Sequence, residues 1–196
     1  MFIDFTAVML VGLAAGFVLL AHYLYMNPEP DSRTPWAAGF FAAGLLGLVT
    51  SVPMLITWPL PGAYNIAFGE PALYVSVAFI GAGLTLAFRW EPLIPAIYGF
   101  FGGLIAIVVG IAMIKMGLTK EPLLAGVGYL AAGVGGVLTL PAIQYRKVRI
   151  FALAAAVALG IAALVFFLIG YEAFWGHLQE FAHWVPDTLR NLPKTK

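Results

Sequence analysis

The residues that could do chemistry in this sequence are three histidines, six glutamates and one short run of hydroxyls. His177, Glu180 and His183 stand three apart, which on a helix spreads them over about 120° of one broad face. Three ligand-type side chains in that arrangement hold a metal when a fourth ligand and orienting partners complete the site, and are solvated surface positions when they do not. The remaining imidazole is His22. A bis-histidine haem needs two imidazoles meeting on one porphyrin. His22 lies near the end of the first apolar stretch and His177 and His183 follow the last, so about 30 Å of hydrocarbon would separate them. His22 therefore reads as an interfacial residue beside Tyr23 and Tyr25, able to supply a single haem ligand only if a partner chain gave the other. No cofactor is expected of this chain alone.

Four of the six glutamates precede a proline: Glu29, Glu70, Glu91 and Glu121. Proline at the first helical position loses no hydrogen bond, and a carboxylate there meets the positive end of the helix dipole, so the dipeptide marks helix starts. The same carboxylates, Glu70 with Glu121 on one face and Glu29 with Glu91 on the other, are also candidate ligands for a hard cation. The hydroxyl run is Thr50 and Ser51 beside Pro53. Proline within a helix frees a backbone carbonyl, and with two hydroxyls this could form a transport site for a neutral or weakly polar solute. The simpler reading is a packing kink whose hydroxyls bond to their own helix.

The elements that must position these residues follow from composition. In 196 residues, 62% are hydrophobic and 10% charged, against roughly 45–50% and 25% in soluble domains, and the mean hydropathy is +0.97. This is an integral membrane protein. A formal charge of +1 is too small for a nucleic-acid binder that must neutralise many phosphates, and zero cysteines remove disulfides, thiolate nucleophiles and Cys-based metal sites. Stretches without Asp, Glu, Lys or Arg run over 5–26, 36–58, 72–88, 93–114, 122–143 and 150–171. Each suits one membrane-spanning helix, so the fold expected is an all-α bundle of six transmembrane helices over 1–173. The first stretch lacks a basic leader and carries Asp4, so it reads as a retained helix. Residues 58–69 read as an aromatic interfacial loop, and 174–196 as an amphipathic helix on the membrane surface followed by a polar tail.

The odd-numbered connections hold Arg33, Arg89, Arg146, Lys147 and Arg149, and the even-numbered ones only Lys115 and Lys120. That asymmetry places both termini on the extracytoplasmic side of the cell membrane. Arg190, Lys194 and Lys196 in the tail pull against it. No ionisable group falls at mid-bilayer depth, where catalysis, proton relay or voltage sensing would need one, so an enzyme is the least favoured class.

The chain also echoes itself. Pro35-Trp36-Ala37-Ala38-Gly39-Phe40-Phe41 matches Pro95-Ala96-Ile97-Tyr98-Gly99-Phe100-Phe101, and Glu70-Pro71 leading to Leu84-Thr85-Leu86 matches Glu121-Pro122 leading to Leu138-Thr139-Leu140. Spans two–three and four–five read as a parallel internal repeat. Glycines at 12, 16, 99, 103, 126, 128, 133, 135 and 136 let helix backbones approach closely within the bundle, or between copies. The Glu-Pro and Gly-Phe-Phe pattern, with Phe68-Gly69-Glu70-Pro71 before a glycine-rich span, resembles a family of small archaeal and bacterial multi-span membrane proteins catalogued as a domain of unknown function. The resemblance covers most of the six spans and implies fold and location, with no activity. The expected role is an accessory or scaffold subunit of a larger membrane assembly, partnered by lipid and by other subunits or further copies. The alternative is a small transporter or channel for a neutral solute or gas.

Overall fold

In a computed structural model of the chain, residues 5–185 are described, and among them the secondary structure is helical throughout. The helices are α1 (Phe5–Met26), α2 (Trp36–Thr57), α3 (Ala63–Ala87), α4 (Leu93–Met116), α5 (Pro122–Gln144) and α6 (Arg149–Glu180), with one 3-10 turn at Pro30–Ser32. All six are long and apolar enough to cross a membrane. At 1.5 Å per residue they run from about 33 to 48 Å, more than the roughly 30 Å hydrocarbon core requires. The chain is a multi-pass membrane protein.

Each helix packs on its neighbours in sequence and α6 returns to α1, closing a ring. α1 also touches α3 and α5, so it leans into the middle and is the most buried of the six. Both the interior and the lipid-facing surface are apolar; the interior combines many small residues with a limited set of large ones, Phe40, Phe166, Met9 and Met54 among them. Alanines such as Ala72, Ala106, Ala132, Ala155 and Ala162 are buried, while Val49, Ile56, Val108, Val157 and Leu164 face outward. The α4–α5 seam is the tightest consequence. A Cβ on Gly103 would stand 2.7 Å from the Gly133 carbonyl oxygen and 2.8 Å from the Val137 nitrogen. A Cβ on Gly44 would stand 2.6 Å from the Ile80 nitrogen across α2–α3. The glycines at 12 and 16 likewise meet Leu46, Phe79 and Ala43 of the same chain.

Two expected boundaries are corrected. The interfacial loop over 58–69 is short, because Ala63–Gly69 form the first two turns of α3. Glu70 and Pro71 then lie inside that helix, not at its start. Proline there forfeits one backbone bond, and this is offset by the burial of Asn65, Ala67, Phe68 and Gly69, with Asn65 and Gly69 against the end of α2 and Phe68 against Tyr129 of α5. Asn65 is fully buried, donates from Nδ2 to the Met54 carbonyl at 2.9 Å and accepts from the Leu60 N–H at 3.4 Å, which locks the α2–α3 turn. The second difference is at the other end. Residues 174–180 continue α6 without a break, since neither Gly170 nor Gly176 interrupts the helix, so no separate surface helix begins at 174. Residues 186–196, with Asp187 and the three basic tail residues, lie outside the described residues.

Candidate functional site: a cavity between α3 and α4

The ring is not filled. A cavity of about 90 Å³ lies within it, large in a measure where some 10–15 Å³ admits one water. All six helices contribute to its wall. One side is aromatic: Phe17, Phe40, Phe79, Phe166, Tyr129 and Tyr23. These rings brace one another edge to face or tilted, with centroids 5.1–6.2 Å apart from Tyr23 through Phe40, Phe79, Phe17 and Phe166 to Tyr129. The rest of the wall mixes small residues, Ala72, Ala78 and Ala82 of α3 and Pro95, Ala96, Gly99 and Gly102 of α4, with aliphatic side chains such as Leu13, Val75, Leu86 and Leu159. Of the large side chains on these two helices, Leu84, Ile94 and Phe101 point outward, whereas Phe79 and Leu86 of α3 point inward.

The cavity is a slot along the bundle. Its lining runs from Pro92, just before α4, to Ala106 within it, and on α5 from Tyr129 to Ile143, about 21 Å in each case. It reaches the end of the bundle carrying the odd-numbered connections and stops roughly 10–15 Å short of the other. Polar groups in the wall are few. Thr139 donates its hydroxyl to the Gly135 carbonyl at 2.8 Å. Tyr23 is 4% exposed, and its hydroxyl is buried without a hydrogen-bond partner.

Next to that end stands an ion pair that the sequence reading did not find. Arg33 Nη1 donates to both carboxylate oxygens of Glu91 at 3.0 Å, and Arg33 Nε donates to the Pro28 carbonyl at 3.3 Å. Arg33 is 6% exposed and Glu91 66%. The Tyr23 hydroxyl is within electrostatic reach of both. Arg146 donates to the Pro28 carbonyl and Arg149 to the Tyr25 carbonyl, each at 2.6 Å, so three of the arginines used above to assign orientation also fasten the α1–α2 connection.

The residues singled out from sequence do not converge on this slot. Thr50 bonds to the Leu46 and Gly47 carbonyls of its own helix at 3.0 Å, while Ser51 is fully buried with an unpartnered hydroxyl. With Pro53 they lie in α2, outside the cavity wall. Glu70 and Glu121 are both exposed and form no ion pair among the described residues. Glu121 directly precedes α5, with Pro122 at the first helical position, but neither it nor Glu29 makes a side-chain capping bond. His22 is exposed and lies edge-on to Trp36, with ring centroids 5.1 Å apart. His177 and Glu180 are in the last turn of α6 and His183 is beyond it, at the opposite end of the bundle from His22. The helix ends before it can carry His183 onto the same face, and no group of three His, Asp or Glu able to hold a metal occurs among the described residues.

No curated protein and no solved structure matches this chain. A family model does, over residues 1–180, and the chain accordingly belongs to the family described as Protein of unknown function (DUF981).

Proposed function

We propose that this protein takes a neutral, apolar or weakly polar small molecule from the membrane into the cavity between α3 and α4. The observation that carries the reading is the composition of the wall: aromatic rings, aliphatic chains, alanine, glycine and proline, and no charged side chain along the slot. Such a lining suits an apolar guest. The slot stops short of one end of the bundle, which favours a binding or carrier role over an open channel. The expected duplication of α2–α3 and α4–α5 belongs to this reading as well. Its support is that each pair is closed by close backbone approach at glycines, whereas the cavity lies where the two pairs meet. Accessory-subunit function draws on the charge-free spans and the small-residue helix faces and is the second reading. Both termini on the extracytoplasmic side remain part of the proposal, resting on the loop arginines and lysines.

Xenon is the simplest test, because it enters dry apolar cavities without needing a polar partner. Purified protein should shift the ¹²⁹Xe resonance saturably, and Ala82→Leu or Val75→Phe, which fill the slot, should remove the response. An unchanged response in both variants would exclude the cavity as the binding site.

A further inference from the structure

We infer that the guest is a single-chain, uncharged amphiphile, its apolar chain lying along the slot and its one oxygen-bearing head group bonded to Tyr23. This rests on the cavity reading above and adds the chemical class. Three observations carry it. The slot is long and narrow: about 21 Å of helix lines a cavity of only about 90 Å³, which suits one flexible chain better than a fused-ring body. Its wall includes Tyr23, whose buried hydroxyl lacks any partner. An unmet buried hydroxyl is costly, and a guest bringing an acceptor or a hydroxyl of its own would relieve it. Tyr23 also lines the end of the slot nearest the membrane surface, since it is in the last turn of α1, whereas Phe166 and Tyr129 are near the deep end. A guest therefore enters oriented as a lipid is, head outward and chain toward the bilayer centre.

The charge of the head group follows from Arg33. An unpaired arginine beside the hydroxyl would recruit a carboxylate or phosphate. Here its Nη1 is already engaged by both oxygens of Glu91 and its Nε by the Pro28 carbonyl. The pair contributes no net charge, so an anionic head would have to compete with the Glu91 carboxylate for Arg33. A long-chain alcohol, aldehyde or ester meets no such competition.

The test compares three probes of equal chain length, hexadecanol, hexadecane and palmitate, by equilibrium binding to protein in lipid nanodiscs against empty nanodiscs. Hexadecanol should bind saturably, one per chain, and more tightly than either of the others. Tyr23→Phe should weaken hexadecanol about two- to twelvefold, the worth of one neutral hydrogen bond, and leave hexadecane unchanged. The same variant should melt no lower than wild type, because removing an unsatisfied hydroxyl at constant shape costs nothing. A merely structural tyrosine would show the reverse, with stability lost and the three probes affected alike. If hexadecanol and hexadecane bind equally and Ala82→Leu blocks both, the head-group assignment is overturned while the cavity reading stands. Palmitate binding most tightly would overturn the uncharged class. If no probe binds saturably, or Ala82→Leu and Val75→Phe leave binding intact, the cavity reading fails together with this inference.

Discussion

Replacing Gly103 by alanine should be among the most damaging single-methyl changes in the protein. The added Cβ would lie 2.7 Å from the Gly133 oxygen and 2.8 Å from the Val137 nitrogen, where ordinary contact begins at 3.4 Å. Both obstacles are backbone, so no side chain can swing aside, and α4 must part from α5 by roughly 0.7 Å at this level. A gap of that size forfeits about a quarter to a half of the attraction between the facing atoms. Overpacking of this kind costs about 1–3 kcal/mol. Gly160→Ala supplies the control, since nothing lies within 4 Å of its Cβ, and it should stay within about 0.5 kcal/mol of wild type. Gly133→Ala meets the same seam from the other side, 2.7 Å from the Gly103 oxygen. Once one methyl has parted the helices, the second has less left to break, so the double variant should fall short of the sum by at least about 0.5 kcal/mol. Unfolding in mixed micelles, followed by circular dichroism, measures all four. Equal stability of Gly103→Ala and Gly160→Ala, or strict additivity of the pair, would refute a backbone-closed seam.

Glu91→Gln should lower stability by about 1–2 kcal/mol because it leaves the buried Arg33 guanidinium without its counter-charge, and adding Arg33→Met should recover at least half of that loss in the same unfolding assay. Hydrogen exchange in Glu91→Gln should rise around residues 28–36 and 88–96 and stay unchanged along the α4–α5 seam. Glu121→Gln should cost about 0.3–1 kcal/mol through the helix dipole at the start of α5, whereas Glu70→Gln, inside α3, should cost less than Glu121→Gln; the reverse order in thermal melts would restore Glu70 as a helix start. Reporters fused after α1 and after α2 should report opposite compartments, and reporters before α1 and after α6 the same one, as six spans require.

Hydropathy made the spans legible because exclusion of charge from hydrocarbon is a strong and local constraint. The starts of α2 and α5, at Trp36 and Pro122, coincide with the starts of the charge-free stretches 36–58 and 122–143. The same rule failed at Glu70 and Glu172. A window that stops at a charge cannot register that Glu70 faces outward while Phe68, Gly69 and Pro71 on either side of it are buried, or that α6 runs on past Glu172 to Glu180. The cavity was not legible at all. In a soluble helix the buried face announces itself as an apolar stripe, but here lipid and interior are equally apolar and the pattern that matters is small against large. One element of the site did leave a trace. Arg33 and Glu91 fall in two odd-numbered connections and so on one face, yet 58 residues separate them and only the folded ring sets their distance.

The position of that pair ties the fold to the proposed chemistry. α2 with α3 and α4 with α5 are each joined where glycine lets backbone meet backbone, and such contacts cannot yield by side-chain rotation. Where the two hairpins meet, between α3 and α4, the glycines face side chains instead, Gly81 facing Pro95 and Gly102 facing Tyr74, and that is where the cavity lies. Arg33 precedes α2 and Glu91 precedes α4, so their bond crosses this joint at the end of the slot nearest the membrane surface. The exposed Glu91 carboxylate lies in contact with water while the buried guanidinium is held by the α1–α2 connection, which Arg146 and Arg149 fasten in turn. One surface-accessible carboxylate thus completes a network that holds the hairpins together beside Tyr23. In a protein with so few charges, this network stands beside the slot without putting any charge inside it.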